Sequence, residues 1–313
     1  MSSESASFVV HAPAKVNLTL EILDERLDGY HDIRSVMLPV SLYDTVTVSG
    51  SVGSDLIECR TAAEGVELGC LAHLPTERHL AVRAALALRE ASGVVRGARI
   101  SIVKRIPIGA GMGGGSADAA GSLVALNRLW GLDWPLERLA EVGARVGCDV
   151  PAMTLGGAVA VEGIGERVER IASSPESPAA PFWLVVVFPG RGVSTCEIYG
   201  KCGSRLTGHP ETFNNVRSFV RQGNVHEASR WLFNGLQETV FRLHPEAKRC
   251  CQALRVAGLL SSLVTGSGSA VYGLAESRAH AESVRSRLGT GEWSRVLQTL
   301  PDGVMVAHGP LVP

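Results

Sequence analysis

The stretch Pro107-Ile108-Gly109-Ala110-Gly111-Met112-Gly113-Gly114-Gly115-Ser116 holds five glycines within seven consecutive positions. So little side-chain bulk lets backbone N–H groups turn inward and approach an anion closely. An apolar strand pattern at about 98–106 precedes the stretch, and a helical pattern at about 116–130 follows it. The N-terminus of a helix adds its dipole and its unpaired N–H groups. Strand, loop and helix in this order predict a phosphate-binding site.

Three known phosphate motifs do not fit this loop. Gly109, Gly111 and Gly114 match G-x-G-x-x-G. A dinucleotide fold, however, places that unit near the start of a domain and ends the next strand with an acidic residue. Here about a hundred residues come first, and another helical pattern follows. A Walker loop would end in Gly-Lys-Ser/Thr, and the loop has no lysine. The H-R-D and D-F-G signatures of protein kinases are also missing from the sequence.

Outward from the loop, the chain divides into two mixed halves. The proline-rich segment 173–181 is the best linker candidate, and it predicts domains at 1–175 and 176–313. Asp28-Gly29 marks a turn between strands. The remaining predicted elements are strands at about 8–11, 17–23, 33–40, 44–48, 182–188, 259–264, 270–275, 296–300 and 304–307, and helices at about 77–91, 135–147, 213–257 and 277–288.

Composition excludes several classes of function. The formal net charge of −1 gives no bulk attraction to nucleic acid or to an anionic membrane. No apolar run reaches about 18 residues, and residues 1–7 lack the basic and apolar regions of a signal peptide. The cysteine count of seven is odd, and no C-x-x-C pair occurs. These features predict a cytoplasmic protein with free thiols and no zinc site.

Four further motifs each permit two interpretations. Lys15 lies at a strand entrance and is either a surface charge or a positioned cation. Asp149 lies between a helix end and an apolar segment that reads as a strand, where it is either a capping residue or an active carboxylate. Asp28-Gly29-Tyr30-His31 is either an ordinary hairpin or a slot for a planar base. The turn 265–269 is either a hairpin or a close backbone approach to a ligand.

Taken together and in order, these segments resemble the GHMP kinase superfamily, the group of galactokinase, homoserine kinase and mevalonate kinase. The resemblance covers most of residues 8–200 and resumes at 258–275. The motifs that carry it are Ala12-Pro13-Ala14-Lys15-Val16-Asn17-Leu18, Asp28-Gly29-Tyr30-His31, Lys104-Arg105-Ile106-Pro107 with the glycine loop, Asp149-Val150-Pro151, and Val193-Ser194-Thr195 with Tyr199.

The resemblance implies an α+β fold with a ribosomal S5-like N-terminal domain, a ferredoxin-like C-terminal domain and a site in the cleft between them. It assigns ATP binding to Lys104, Pro107, Gly109, Gly111, Gly113, Gly114, Gly115 and Ser116. It assigns substrate binding to Asn17, Tyr30, His31, Thr195, Tyr199, Gly266, Ser267 and Gly268.

The reaction implied by the resemblance transfers the γ-phosphoryl group of ATP to an alcohol, with Mg²⁺ as cofactor and with ligands that the sequence does not identify. Lys15 and Asp149 are the catalytic pair: the carboxylate orients the hydroxyl and accepts its proton, and the ammonium stabilises charge on the reacting oxygens. Tyr30 and Tyr199 would sandwich a cytosine while His31 binds its edge. The resemblance implies as acceptor the 2-hydroxyl of a methylerythritol unit that carries cytidine diphosphate, a substrate of non-mevalonate isoprenoid biosynthesis.

Two alternatives stay open. The chain could be a kinase of the same fold that acts on another alcohol, or a catalytically silent nucleotide-binding paralogue. Asn234-Gly235-Leu236-Gln237 stands where the family commonly has Asn-Asp followed by an apolar residue and Glu, so the usual aspartate is missing. The sequence predicts no nucleic-acid or membrane partner and leaves monomer and homodimer open.

Overall fold

The computed structural model describes residues 6–51, 54–171, 180–202, 210–289 and 292–306. The strands are β1 (Ser7–Glu25), β2 (His31–Gly50), β3 (Ile57–Ala63), β4 (Ala98–Lys104), β5 (Val159–Gly163), β6 (Arg167–Arg170), β7 (Trp183–Phe188), β8 (Phe233–Asn234), β9 (Ser261–Val264), β10 (Val271–Ala275), β11 (Trp293–Gln298) and β12 (Met305–Val306). The helices are α1 (Leu80–Ser92), α2 (Gly114–Leu129), α3 (Leu136–Ala144), α4 (Val150–Leu155), α5 (Thr195–Gly200), α6 (Pro210–Gln222), α7 (Val225–Arg230), α8 (Gln237–Leu243), α9 (Pro245–Val256) and α10 (Arg278–Arg287). Short 3₁₀ turns lie at Gly69–His73 and Thr76–Arg78.

The first sheet is built on the long antiparallel pair β1–β2. The other edge of β2 pairs with β5 near its start and with β4 near its end, and β3 continues the sheet beyond β4. The other edge of β1 pairs with β8 and β12, which come from the second half of the chain. Gly29, with φ +81°, closes the β1–β2 hairpin as the Asp28-Gly29 signal predicts.

Helix α2 lies close against β1 and β2, and this contact places the glycine loop. A Cβ atom at Gly121 would come within 3.2 Å of the Val46 side chain and 3.3 Å of the Ala12 side chain. The run of small residues in α2 therefore lets the helix approach the sheet. The same packing brings the loop over β1, where the Lys15 N–H donates to the Met112 carbonyl at 3.0 Å.

The second sheet has the order β11-β7-β10-β9 with antiparallel neighbours, and its central strands β7 and β10 are buried on both faces. Leu184 and Val186 of β7 belong to the core cluster shared with the first sheet. Val185 and Val187, on the opposite face, belong to a cluster that includes residues of α9 and α10. Burial on both faces explains why β7 is a continuous apolar run rather than an alternating one.

Several predicted elements need correction. The four strands predicted within 8–48 are two long strands, because β1 passes through Pro13 at a register shift instead of ending there. The segment after Asp149, predicted as a strand, is helix α4; it is buried from Val150 to Thr154, so its apolar run has no period that separates helix from strand. Strands β3, β5, β6 and β8 were not predicted, and β8 interrupts the region 213–257 that was predicted as helical. Residues 173–179 of the predicted linker lie outside the described residues, and the division near 175 stays a prediction.

Candidate active site

Lys15 and Asp149, which are far apart in sequence, meet at the edge of the glycine loop. Lys15 projects from β1, and Asp149 immediately precedes α4. Lys15 Nζ lies 3.7 Å from Asp149 Oδ2, with the two side chains 5% and 30% exposed. Burial lowers the pKa of Lys15, and the neighbouring Asp149 carboxylate opposes that shift. The pair therefore combines a buried cation with a carboxylate that solvent reaches.

Asn17 holds the Lys15 ammonium in place. Lys15 Nζ donates to Asn17 Oδ1 at 2.6 Å and to the Gly111 carbonyl at 2.9 Å. Asn17 Nδ2 in turn donates to Ser35 Oγ at 2.8 Å, which fixes the orientation of the amide. The sequence predicts Asn17 as a substrate-binding residue; in the structure its buried side chain contacts Lys15 and Ser35.

The glycine loop runs from β4 into α2 with left-handed backbone at alternate positions. Gly109, Gly111 and Gly113 have φ values of +70°, +75° and +73°. The first N–H groups of α2, from Gly114 onward, have no partner within the helix and lie at the end of the loop. Pro107 is buried at the start of the loop, and Ser116 is half-buried in the first turn of α2. The predicted phosphate-binding residues are thus contiguous, with N–H groups available at a helix N-terminus.

A second loop, residues 265–270 between β9 and β10, packs against the first. Ser269 N–H donates to the Gly109 carbonyl at 3.3 Å, and Ala270 N–H donates to the Ala110 carbonyl at 3.1 Å. A Cβ atom at Gly266 would lie 2.7 Å from the Gly111 oxygen and 3.0 Å from Lys15 Nζ. Only glycine fits at this position, so the second loop reaches the Lys15 ammonium directly.

Three polar side chains hold the second loop. The Thr195 and Ser267 hydroxyl oxygens are 2.9 Å apart. Asn234 Nδ2 donates to the carbonyls of Val264 and Gly266, each at 2.8 Å. In the sequence, Asn234 stands out only through the unusual residue after it, and its contacts show a loop-positioning role that no local pattern reveals. Gly268, also in this loop, has φ +78°.

The aromatic residues of the predicted base slot divide into a pair and an exposed ring. The His31 and Tyr199 ring centroids are 5.3 Å apart with the planes tilted by 48°. Burial raises the pKa of the Tyr199 phenol, and the charge of Asp149 adds to the shift. Tyr30 is 54% exposed at the hairpin end. Within the described residues, the ring contact of Tyr199 is with His31, and the predicted sandwich between Tyr30 and Tyr199 stays a prediction.

Lys104, predicted near the nucleotide, has two carboxylate partners beneath the loop. Its ammonium contacts Asp118 at 2.6 Å and also pairs with Asp44. Burial opposes its charge, but Asp118 and Asp44 together raise the pKa of Lys104. Neither aspartate was predicted from the sequence. Asp118 carried a usable signal, because it is a charged residue within a helix of small apolar residues.

No three His, Cys, Asp or Glu side chains lie together as metal ligands in the described ranges. A helix long and apolar enough to span a membrane is likewise not found in this part of the chain.

Comparisons with known proteins identify the family of the chain. Residues 79–157 match the family model for the GHMP kinases N terminal domain, and residues 216–293 match the model for GHMP kinases C terminal. The chain is 38% identical over 270 residues to 4-diphosphocytidyl-2-C-methyl-D-erythritol kinase of Symbiobacterium thermophilum, covering 86% of this chain and 91% of the relative. It is 36% identical over 276 residues to the protein of the same name from Pelotomaculum thermopropionicum, covering 88% and 92%.

Solved structures of related proteins superpose on this chain. A crystal structure of 4-(cytidine 5'-diphospho)-2C-methyl-D-erythritol kinase superposes with a TM-score of 0.70 at 33% identity, covering 93% of this chain and 98% of the other. Homoserine kinase from Cytophaga hutchinsonii superposes with a TM-score of 0.74 at 18% identity, covering 98% and 99%, and therefore shares the fold.

Proposed function

The chain belongs to the GHMP kinases, in the family of 4-diphosphocytidyl-2-C-methyl-D-erythritol kinases, and from this membership we propose that it phosphorylates the 2-hydroxyl of 4-diphosphocytidyl-2-C-methyl-D-erythritol with ATP. It is an ATP-dependent small-molecule kinase. The kinase superfamily and the two-domain α+β fold expected from the sequence are confirmed. The reaction is a step of non-mevalonate isoprenoid biosynthesis.

The Lys15–Asp149 contact of 3.7 Å carries the proposal. Asp149 orients the acceptor hydroxyl and takes up its proton, and the Lys15 ammonium neutralises charge that develops on the reacting oxygens. Phosphoryl transfer has a loose transition state, so most of the catalytic effect comes from positioning and electrostatics. The hydrogen bonds from Lys15 to Asn17 and Gly111 serve that positioning, because they fix the ammonium between the two loops.

The phosphates of ATP would lie on the glycine loop, against the N-terminus of α2. Mg²⁺ would neutralise charge on the β- and γ-oxygens. This ion usually keeps several waters and is bound by one or two carboxylates and by substrate phosphates, rather than by an all-protein cage. The described residues hold no group of three His, Cys, Asp or Glu side chains, so in this proposal the triphosphate and water supply most of the ligands.

The cytosine of the acceptor would stack in the slot beside His31 and Tyr199. Their rings are close enough for one planar base to contact both, and exposed Tyr30 lies next in sequence to His31. Thr195, Ser267 and the backbone of the second loop line the path from this slot to Lys15 in our proposal. We further propose a cytoplasmic location, with monomer and homodimer both compatible.

An acceptor panel tests this function. ATP consumption with Mg²⁺ is measured for 4-diphosphocytidyl-2-C-methyl-D-erythritol, mevalonate, homoserine and no acceptor. The enzymes are wild type, Asp149→Ala and the exposed-residue control Asp55→Ala. We expect turnover with the cytidine substrate alone, lost in Asp149→Ala and kept in Asp55→Ala. Turnover with another alcohol would overturn the slot assignment. ATP binding without any turnover would support a silent nucleotide-binding protein.

A further inference from the structure

A buried charge cluster lies directly beneath the phosphate loop. Lys104, Asp44 and Asp118 are 2%, 0% and 5% exposed. A Cβ atom at Gly114 would lie only 3.2 Å from Lys104 Nζ, so the ammonium sits just under the first turn of α2. The proposed catalytic step does not use any of these side chains.

The two aspartates of this cluster have unequal partners. Asp44 Oδ1 accepts from the N–H groups of Arg105 at 2.6 Å and Ile106 at 2.9 Å, and its other oxygen pairs with Lys104. Asp118 Oδ2 accepts from Lys104 at 2.6 Å, whereas its Oδ1 is buried and has no hydrogen-bond partner in the structure. Both Asp44 oxygens thus have hydrogen-bond donors, whereas one Asp118 oxygen has none. Asp118 is therefore the carboxyl that gains most from a proton.

One ammonium cannot balance two carboxylates, so the fully ionised cluster has a net charge of −1. Burial raises the pKa of Asp118 to about 7. The charge of Lys104 opposes this rise, and the charge of Asp44 adds to it. Two other titratable groups face the cluster: Cys59 on β3 and His79 ahead of α1, whose pKa is lowered by burial and by Lys104. Arg105 instead pairs with Glu64 at the surface.

We propose that Asp118 is a positioning residue for nucleotide binding, which takes up a proton when a nucleoside phosphate binds to the glycine loop and so removes the net negative charge beneath it. The proposal rests on the proposed function, because it needs phosphates on this loop. In this proposal Lys104 acts through its two carboxylate partners and is not a direct ligand of the nucleotide. The proton passes from a buffer acid to an Asp118 oxygen, and no other bond changes.

The linkage has a definite sign. Bound phosphates are anionic and favour the protonated form of the cluster, so the pKa of Asp118 is higher in the complex than in the free protein. Binding then takes up protons, and affinity falls as pH rises above about 7, by at most tenfold per pH unit for one proton.

Calorimetric titration of the full chain with ADP measures this directly, in two buffers of different ionisation enthalpy at about pH 7.5. The matched variant is Asp118→Asn, which keeps the shape and cannot titrate. We expect wild type to take up a fraction of a proton more than Asp118→Asn. We also expect the dissociation constant of wild type for ADP to rise between about pH 6.5 and 8.5, by several-fold more than that of Asp118→Asn. Subtracting the variant removes the titration of ADP itself.

A second variant, Asp44→Asn, leaves Asp118 as the only carboxylate on Lys104. Asp118 then stays ionised, and we expect this variant also to lose the extra proton uptake. Equal uptake in wild type and Asp118→Asn, or a normal extra uptake in Asp44→Asn, would overturn the proposal while leaving the kinase function intact. Failure of wild type to bind ADP at all would instead overturn the phosphate-loop assignment, and this proposal with it.

Discussion

Gly111→Ala tests the contact between the two loops that frame Lys15. A Cβ atom at residue 111 would lie 2.2 Å from the Thr265 carbonyl oxygen and 2.8 Å from the Gly268 nitrogen. A carbon–oxygen contact needs about 3.3 Å, so the loops must move apart by about 1 Å. The φ of +75° adds about 1–2 kcal/mol of backbone strain for an L-residue.

This displacement should reach the reacting atoms, because Lys15 Nζ donates to the Gly111 carbonyl. A misplacement of about 1 Å can lower the rate about 10²-fold. We therefore expect kcat for phosphoryl transfer to fall about 10²-fold in Gly111→Ala, together with a loss of at least about 1–2 kcal/mol in the free energy of unfolding. Steady-state kinetics and urea unfolding measure the two effects.

Gly131→Ala is the matched control. Gly131 has a similar φ of +67°, but a Cβ atom there would meet nothing within 4 Å. The free energy of unfolding of Gly131→Ala should fall by the backbone strain energy alone, and its kcat should equal that of wild type. If Gly111→Ala retains kcat within about threefold, or if Gly131→Ala loses as much activity, the loop-contact argument is wrong.

Three further predictions concern the proposed base slot, the proposed catalytic lysine and a buried ion pair. Tyr199→Ala should raise KM for the cytidine substrate about 5- to 150-fold, the equivalent of about 1–3 kcal/mol of stacking, with KM for ATP unchanged; steady-state titration of each substrate checks this. Because burial lowers the pKa of Lys15, kcat should fall as alkaline pH deprotonates it, whereas a slower Lys15→Arg enzyme should show no such fall in its pH–rate profile. Arg34→Met should lower the free energy of unfolding in urea by about 3–5 kcal/mol, because it leaves the fully buried Glu21 carboxylate without its charged partner. The control Lys201→Met, at an exposed ion pair, should change stability little.

The sequence predicted features whose cause is local. The dense glycines predicted a tight loop between a strand and a helix, and its backbone is left-handed at Gly109, Gly111 and Gly113. Asp28-Gly29 predicted the hairpin turn. Lys15 and Asp149 were each ambiguous when taken alone, and the resemblance to a family singled them out. Their contact joins a strand at the start of the chain to a helix more than a hundred residues later, and no local pattern specifies such a contact.

The sequence did not predict features that depend on long-range packing. Lys104 was expected near the nucleotide, and its pairing with Asp44 and Asp118 follows from the way β2, β4 and α2 assemble. The strand expected after Asp149 is helix α4, because a short segment buried on every side has no periodicity to read. Asn234 holds the second loop through two backbone carbonyls that no sequence pattern places near it.

A single-turnover experiment tests the central claim most directly. Enzyme saturated with radiolabelled ATP and 4-diphosphocytidyl-2-C-methyl-D-erythritol is quenched over time, and labelled product is counted for wild type and Asp149→Asn. Substrate dissociation constants are measured in parallel. The account predicts that the variant binds both substrates within a few-fold of wild type but transfers phosphate at least about 10²-fold more slowly. Transfer at the wild-type rate by the variant would contradict the assignment of Lys15 and Asp149 as the catalytic pair.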